Sequence, residues 1–381
     1  MAGNKIRDLY EKHGQSLWYD NIARDLLENG AIQALVDEGV RGLTSNPSIF
    51  QKAITSGTAY DDQIRTLAAQ GKSPQEIYEA LAIDDIRRAA DMLRPIYESS
   101  AGADGYVSLE VSPLLANDTQ GTIAEAARLW RAVDRPNLMI KIPATEAGLP
   151  AIEQSLADGI NVNVTLIFSR EMYSRVIDAY IRGLQRRAAA GQDVSRVASV
   201  ASFFVSRVDT LVDDLLEHQI AAADDPAQKG RLEALKGKAA IANAKLAYQL
   251  FKQKFSGAAW EALAAQGARV QRPLWASTST KNPAYSDVLY VDNLIGPYTI
   301  NTAPPETIAA FRDHGVLADT LEADIEGARR VMEELAAVGI DMDAVTAQLL
   351  EEGIDKFAKP FLSLLEAIGQ KAQALSKAPA V

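Results

Sequence analysis

Asn137-Leu138-Met139-Ile140-Lys141-Ile142-Pro143 and Ile160-Asn161-Val162-Asn163-Val164-Thr165-Leu166 each carry polar side chains inside an aliphatic strand pattern. Neighbouring strand residues point to opposite faces. Leu138, Ile140 and Ile142 therefore share one face, and Lys141 points to the other. In the second stretch the aliphatics again share a face, opposite Asn161, Asn163 and Thr165. Tyr106-Val107-Ser108-Leu109-Glu110-Val111 repeats the pattern, with Ser108 and Glu110 opposite the aliphatics. A barrel explains all three. The aliphatic face packs on outer helices, while the other face lines the interior. Polar groups there are costly unless paired or used. Towards the C-terminal strand ends they meet the mouth, where barrel enzymes keep their catalysts.

Moving outward, short apolar runs alternate with helical patterns. The runs are 17–20, 40–46, 105–112, 137–143, 160–168, 197–206, 272–277 and 298–303. Between them, segments such as 61–70, 73–99, 122–132, 147–158 and 170–190 show helical spacing. Strand–helix alternation implies a parallel sheet. Eight units favour an α/β fold of the closed (β/α)8, TIM-type barrel kind, with additional helices. Two regions exceed a minimal barrel. One is a helical insertion at about 208–271, broken at Asp224-Asp225-Pro226; the other is a helical C-terminal extension over about 305–381. Phe357, Phe361, Leu364, Leu365 and Ile368 recur at helical spacing there and read as a core-packing stripe. Residues 1–381 are read as one domain with decorations, its terminal Lys377-Ala378-Pro379-Ala380-Val381 fraying.

Composition narrows the function. The 381 residues are 48% hydrophobic and 23% charged, which is globular composition. A net charge of −11 argues against nucleic-acid binding, which needs a basic stripe. It leaves anionic substrates open, because a few placed cations can dominate one cleft. The absence of cysteine removes disulfides, zinc thiolates and cysteine nucleophiles. His13, His218 and His314 lie far apart, so no metal site is expected and no cofactor is implied. The N-terminus lacks the apolar stretch of a signal peptide, and no run is long enough to span a membrane. Cytoplasm is the default location. Oligomeric state is open.

On pattern alone Lys141 has two equal readings. A desolvated lysine favours the neutral amine that attacks a carbonyl. The same lysine could equally be half of a buried ion pair with Glu110, without chemistry. At this point the sequence resembles the transaldolase family. Gly42-Leu43-Thr44-Ser45-Asn46-Pro47-Ser48 is similar to its first signature, and Asn137 to Thr145 to its active-site lysine segment. Gly159 to Ser169 follows at the family's spacing. The insertion suggests the longer bacterial subgroup, in which the enzyme stands alone or is joined to an isomerase domain; no such second domain fits here.

The resemblance implies a (β/α)8 barrel with a Schiff-base lysine on its fourth strand, and Lys141 lies in the fourth run. It implies transfer of a dihydroxyacetone unit between sugar phosphates. Donors would be sedoheptulose 7-phosphate or fructose 6-phosphate, acceptors glyceraldehyde 3-phosphate or erythrose 4-phosphate. Lys141 would form the carbinolamine and then the iminium. Asp20 would be the base for the C4 hydroxyl. Glu110 and Thr165 would hold a catalytic water. Asn46 and Asn163 would orient the dihydroxyacetone hydroxyls and help protect the enamine. Ser202 and Phe204 would contact substrate, and Arg207 would bind phosphate. Ser279 and Lys281 are the candidates for a second phosphate contact, where other branches have arginine. Simpler roles compete: Asp20 as a helix cap, Asn46-Pro47-Ser48 as a turn, Phe204 as core. Asn161 is read as structural and Trp18 and Tyr19 as packing.

Three other functions compete. A fructose-6-phosphate aldolase-type lyase would use the same lysine and release free dihydroxyacetone. That branch resembles a shorter barrel, with tyrosine near the water where transaldolases have glutamate, so Glu110 favours transfer. A degenerate sugar-phosphate-binding barrel is disfavoured by the intact Lys, Asp, Glu, Asn and Thr set. A metal-dependent aldolase lacks suitably placed histidines.

Overall fold

The computed structural model describes residues 4–377, so the expected fraying of the last residues lies almost wholly outside it. Seven parallel strands form one sheet: β1 Gln15–Tyr19, β2 Val107–Glu110, β3 Leu138–Pro143, β4 Val162–Ile167, β5 Ser199–Phe204, β6 Arg272–Ala276 and β7 Thr299–Ala303. Their order is β1-β7-β6-β5-β4-β3-β2. The run at 40–46 is not a regular strand. Leu43 alone bridges, in parallel, to Tyr19 on one side and Val107 on the other. Tyr19 N–H donates to the Gly42 carbonyl and Leu43 N–H to the Tyr106 carbonyl, both at 2.9 Å. This short eighth stave joins the two sheet edges and closes the ring expected from the eight runs. Its brevity has local causes. Gly42 passes over the Trp18 indole, where a Cβ would lie 2.4 Å from the ring. Asn46 then caps the next helix, Pro47–Thr55, by accepting from Ile49 N–H.

Outward strand faces pack on helices, and the buried aliphatics of all strands form one continuous core. The helices start where local chemistry favours it. Ser73 and Glu76 form a reciprocal capping box with Pro74 in the first turn of Pro74–Ser99. Ser169 caps Arg170–Ala189. The region expected as an insertion is helical: Ser206–Ala222, Pro226–Glu233, Ala239–Lys254 and Ala258–Ala264. Asp225 caps the second of these, where the polar break was read. The first begins at Ser206, which puts Arg207 in its opening turn. The C-terminal helix runs from Met342 to Lys377 and packs on Pro47–Thr55, Asp61–Ala69, Pro74–Ser99, Ser206–Ala222 and β4. Among the described residues, no helix is long and apolar enough to cross a membrane.

The N-terminal end of the barrel is pinned by Asp104, which is fully buried. Its carboxylate accepts from Ser16 Oγ, Trp18 Nε1 and Arg41 Nε, and Arg272 Nη1 lies 3.6 Å away. One carboxylate thus joins β1, the eighth stave and β6. Trp18 is therefore packed, as expected, and also hydrogen-bonded. Asn161 is structural as read: its amide donates to the Pro136 and Leu138 carbonyls and accepts from Ala198 N–H.

A second buried acidic group joins helices Ser206–Ala222 and Ala239–Lys254 to the short helix Leu289–Asn293 between β6 and β7. Asp209 accepts from Ala240 N–H at 2.7 Å and from the Tyr290 hydroxyl at 2.9 Å. Burial, more than any neighbour, raises its carboxyl from an ordinary 3.8 to about 7. The unfolded chain then ionises first, so the stability this group contributes is full below about pH 4 and fades as pH rises to about 7. Asp209→Asn removes the pH-dependent part and leaves a constant cost for the lost acceptor. In urea denaturation, the advantage of the parent chain over Asp209→Asn should shrink as pH rises through this range. A pH-independent difference would contradict the assignment.

Candidate active site

Parallel register sets the site. Glu110 pairs with Lys141 across β2 and β3, and Lys141 with Asn163 across β3 and β4. All three point inward by strand parity. Lys141 Nζ lies 3.1 Å from Glu110 Oε2 and donates to the Ser45 carbonyl at 3.3 Å. Asn163 donates to Ser108 Oγ at 3.0 Å and accepts from Ser202 Oγ at 2.7 Å. Thr165 opposes Pro143 one step further along. Just past it the β4–β5 register shifts, and Leu166 takes a positive φ of 60°, a strained conformation for a branched side chain.

A cavity of about 870 Å³, counting its opening to solvent, lies at the C-terminal ends of the strands. Asp20, Asn46, Lys141, Thr165, Ser202, Phe204, Arg207, Ser279 and Lys281 line it. Every site residue expected from the sequence is there except two. Asn163 lies behind Ser202, to which it is hydrogen-bonded. Glu110 faces a separate small cavity beside Tyr78 and Glu125, with Lys141 between it and the main space. None of the three histidines is among the lining residues.

Asp20 follows β1 and accepts from Thr44 Oγ1 at 2.6 Å. It is not a helix cap: the next helix, Arg24–Glu28, starts from Ala23. Asn46 is not a simple turn residue: it caps the helix Pro47–Thr55 and lines the cavity. Phe204 packs against Phe168 with ring centroids 5.2 Å apart and also lines the cavity. The Arg207 guanidinium lies 5.2 Å from the Phe204 ring centre. Lys281 Nζ donates to Ser279 Oγ at 2.6 Å, so both second phosphate candidates lie together. Their loop is held to the helix bearing Arg207 by Tyr285, whose hydroxyl donates to Asp213 at 2.7 Å.

Among the buried polar atoms of the described residues that lack a hydrogen-bond partner, Thr165 Oγ1 and Arg207 Nη1 belong to residues lining this cavity. Unsatisfied buried groups cost free energy, and at a cavity wall a bound ligand or water offsets that cost. A buried amine, a carboxylate on the first stave and a guanidinium now share one mouth. A model described as Transaldolase/Fructose-6-phosphate aldolase matches residues 17–368. A protein named Transaldolase from Trichodesmium erythraeum is 51% identical over 379 residues, covering 99% of this chain and all of that protein. Transaldolase 2 from Nostoc sp. is 51% identical over 380 residues, with 99% and 100% coverage. A Transaldolase from Mycolicibacterium paratuberculosis is 51% identical over 367 residues, 96% of each chain. The chain belongs to the transaldolase/fructose-6-phosphate aldolase family. It is an enzyme of that family, and its sheet and helices are those of the family's barrel.

The family member's cavity also holds residues that the sequence reading did not assign. Thr44 sits in the quoted first signature, two residues from Asn46, and no role was read for it there. Thr302, on β7, lies 2.6 Å from Thr44 Oγ1. Glu306, in the first turn of Pro305–His314, and Phe357, from the C-terminal helix, complete the wall. Glu306 carries no periodic or motif signal. Phe357 was read as core; it is buried, but its ring faces Lys141 Nζ at 5.3 Å.

Charge balance distinguishes the two carboxylates. Burial raises Glu110 above the usual carboxylate range, opposed by the Lys141 ammonium. Burial also raises Asp20, which is opposed first by the Thr44 hydrogen bond and then by Lys141, while Glu306 adds to the rise. Burial lowers Arg207, countered by the Glu352 and Asp20 carboxylates. Removing the Thr44 donor leaves ionised Asp20 less stabilised. Thr44→Val should therefore move the acid limb of the kcat/KM pH profile upward, because ionised Asp20 loses a charge-assisted hydrogen bond. An unmoved acid limb would show that ionised Asp20 does not limit the reaction.

Proposed function

We propose that this protein is a transaldolase that carries a dihydroxyacetone unit between sugar phosphates on Lys141. The observation that carries this reading is the buried Lys141–Glu110 pair at 3.1 Å, at the foot of a cavity that also holds a carboxylate and phosphate-binding cations. The close relatives named Transaldolase support transfer over simple cleavage.

In this reading Lys141, as the neutral amine, attacks the donor ketone. Its bound proton passes to Glu110, the nearest carboxylate. A raised Glu110 suits this, because a carboxyl that holds a proton more readily can return it. Loss of water from the carbinolamine then gives the iminium. Thr165 Oγ1, unpartnered at the cavity wall, is available to that water. The iminium draws electrons from the C3–C4 bond as ionised Asp20 takes the proton of the C4 hydroxyl. The departing aldose leaves an enamine on Lys141, and a second aldose reverses the steps. Asn46 and Ser202 bind the hydroxyls, with Asn163 holding Ser202 in place.

The phosphate goes to Arg207, with Ser279 and Lys281. Arg207 provides a guanidinium fork with an unpartnered Nη1, and Lys281 provides a point charge. The chain is strongly acidic overall, so these few cations define where an anion can settle. We place the enzyme in the cytoplasm, acting on small phosphorylated sugars without a metal or cofactor.

Borohydride reduction in the presence of fructose 6-phosphate should add a reduced three-carbon unit or the whole donor to Lys141, located by peptide mass spectrometry. Lys141→Ala should fold, show no adduct and lose activity by at least about a thousandfold, as expected when a covalent nucleophile is removed. An unmodified Lys141 in the folded parent chain would refute the mechanism. Glu110→Ala should slow imine formation by about a hundredfold or more, the scale of general acid–base assistance, with little change in phosphate affinity. Unchanged imine formation in a rapid-mixing experiment would remove Glu110 from the proton path.

A further inference from the structure

Lys141 requires water at one stage of its cycle and must be kept from it at another. Water leaves the carbinolamine and later returns to free the product. Between these events the enamine must wait for an aldose. If its carbon takes a proton instead, the iminium re-forms. Water then adds to the iminium carbon and gives up a proton. The C–N bond breaks, its electron pair stays on nitrogen, and the amine and free dihydroxyacetone separate. The net reaction is enamine plus water giving amine plus ketone.

The surroundings of Lys141 Nζ are two-sided. Glu110 Oε2 and the Ser45 carbonyl lie on its polar side, at 3.1 and 3.3 Å. The Phe357 ring faces the amine from the C-terminal helix, its centre 5.3 Å away. That helix is fixed over the mouth. Phe361, one turn on, packs edge-on against Tyr78 with centroids 5.5 Å apart. Gly353, one turn before Phe357, lets the helix approach β4, because a Cβ there would lie 2.9 Å from Leu166 Cδ2. Leu166 is the strained residue directly after Thr165. Gly353 and Phe357 are four residues apart and therefore share a helix face. The close approach at one places the ring of the other over the lysine.

We propose that Phe357 shields the lysine-bound enamine from water and so sets the partition between transfer to an acceptor and release of free dihydroxyacetone. This rests on the Lys141 Schiff base proposed above. Phe357 forms no bond in the reaction and serves as a shielding residue. Its ring excludes water from the amine's apolar side, leaving the Glu110–Thr165 side as the route by which water reaches the carbon when required.

The test uses the full chain with fructose 6-phosphate as donor and erythrose 4-phosphate as acceptor. Two rates are read: free dihydroxyacetone released without acceptor, and seven-carbon ketose formed with it. Phe357→Ala should raise the ratio of release to transfer by about tenfold or more, and Phe357→Val by less, as water gains access. Ile368→Ala, which removes a buried side chain about three turns further along the same helix and lining neither cavity, should lower the denaturation midpoint and leave the ratio unchanged. Should Phe357→Ala fail to fold, Phe357→Val reads the same ratio. If both rates fall in proportion in the Phe357 variants, Phe357 is packing alone and the proposal is overturned. The adduct on Lys141 separates the two failures. A parent chain that forms none overturns the Schiff-base reading, whereas an unchanged ratio in variants that still form it overturns only the shield.

Discussion

A lysine ammonium and a glutamate carboxylate 3.1 Å apart, each side chain about one-twentieth exposed, are the constraint around which this barrel is organised. Taking both charges from water costs several kcal/mol, and their mutual attraction offsets it only with good geometry. Well-packed aliphatics at both positions would hold the barrel at least as firmly. The pair is therefore poorly explained by stability. It is better explained by what it holds ready: an amine kept beside a group that can take its proton. The register that pairs Glu110 with Lys141 and Lys141 with Asn163 supplies this arrangement without any loop. These side chains sit on backbone fixed by the sheet, and the chemistry proposed for them requires such rigid placement.

The barrel interior carries buried polar groups at both ends. At the N-terminal end Asp104 is surrounded by donors from Ser16, Trp18 and Arg41, with Arg272 close by. Such a carboxylate has no capacity left for a ligand, and its role is to hold staves together. The short eighth stave depends on it, because Leu43 supplies only single bridges to its neighbours while Arg41 anchors the start of the same segment. At the C-terminal end the arrangement is incomplete. Thr165 Oγ1 and Arg207 Nη1 are buried without partners among the described residues, next to open volume. Asp104 is saturated by its neighbours, whereas Thr165 Oγ1 and Arg207 Nη1 keep capacity for a ligand or water.

Strand parity made much of this legible. Lys141, Glu110, Asn163 and Thr165 were placed on the inward face from aliphatic alternation alone, and the structure puts them there. Parity could not separate ion pair from nucleophile, because both need the same geometry; the family resemblance favours the nucleophile. Thr44 was not legible by parity, because the run at 40–46 forms single bridges at Leu43 and no regular strand. Glu306 was not legible, since a first-turn glutamate reads as an ordinary helix-dipole residue. Nor was the double role of Phe357. A stripe of apolar residues on a helix says that one face is covered. Only the tertiary arrangement says that one ring of the stripe covers a cavity and not another side chain.

The same limit explains Gly353. Within a helix a glycine costs about 1 kcal/mol relative to alanine, so the sequence marks it as a weak point. The structure shows what offsets that cost. Leu166 leaves the β4 alternation with a left-handed backbone, at a cost of about 1–3 kcal/mol for a residue of its kind. Its side chain then occupies the space beside Gly353. Two locally unfavourable choices, far apart in sequence, thus fit each other. Together they fix the C-terminal helix against the end of the strand that bears Thr165. A larger residue at 353 would lift the helix from Leu166 and move Phe357 with it. Local preference is given up here at the two points where a helix must meet the mouth of the barrel, which is where function and local stability are expected to diverge.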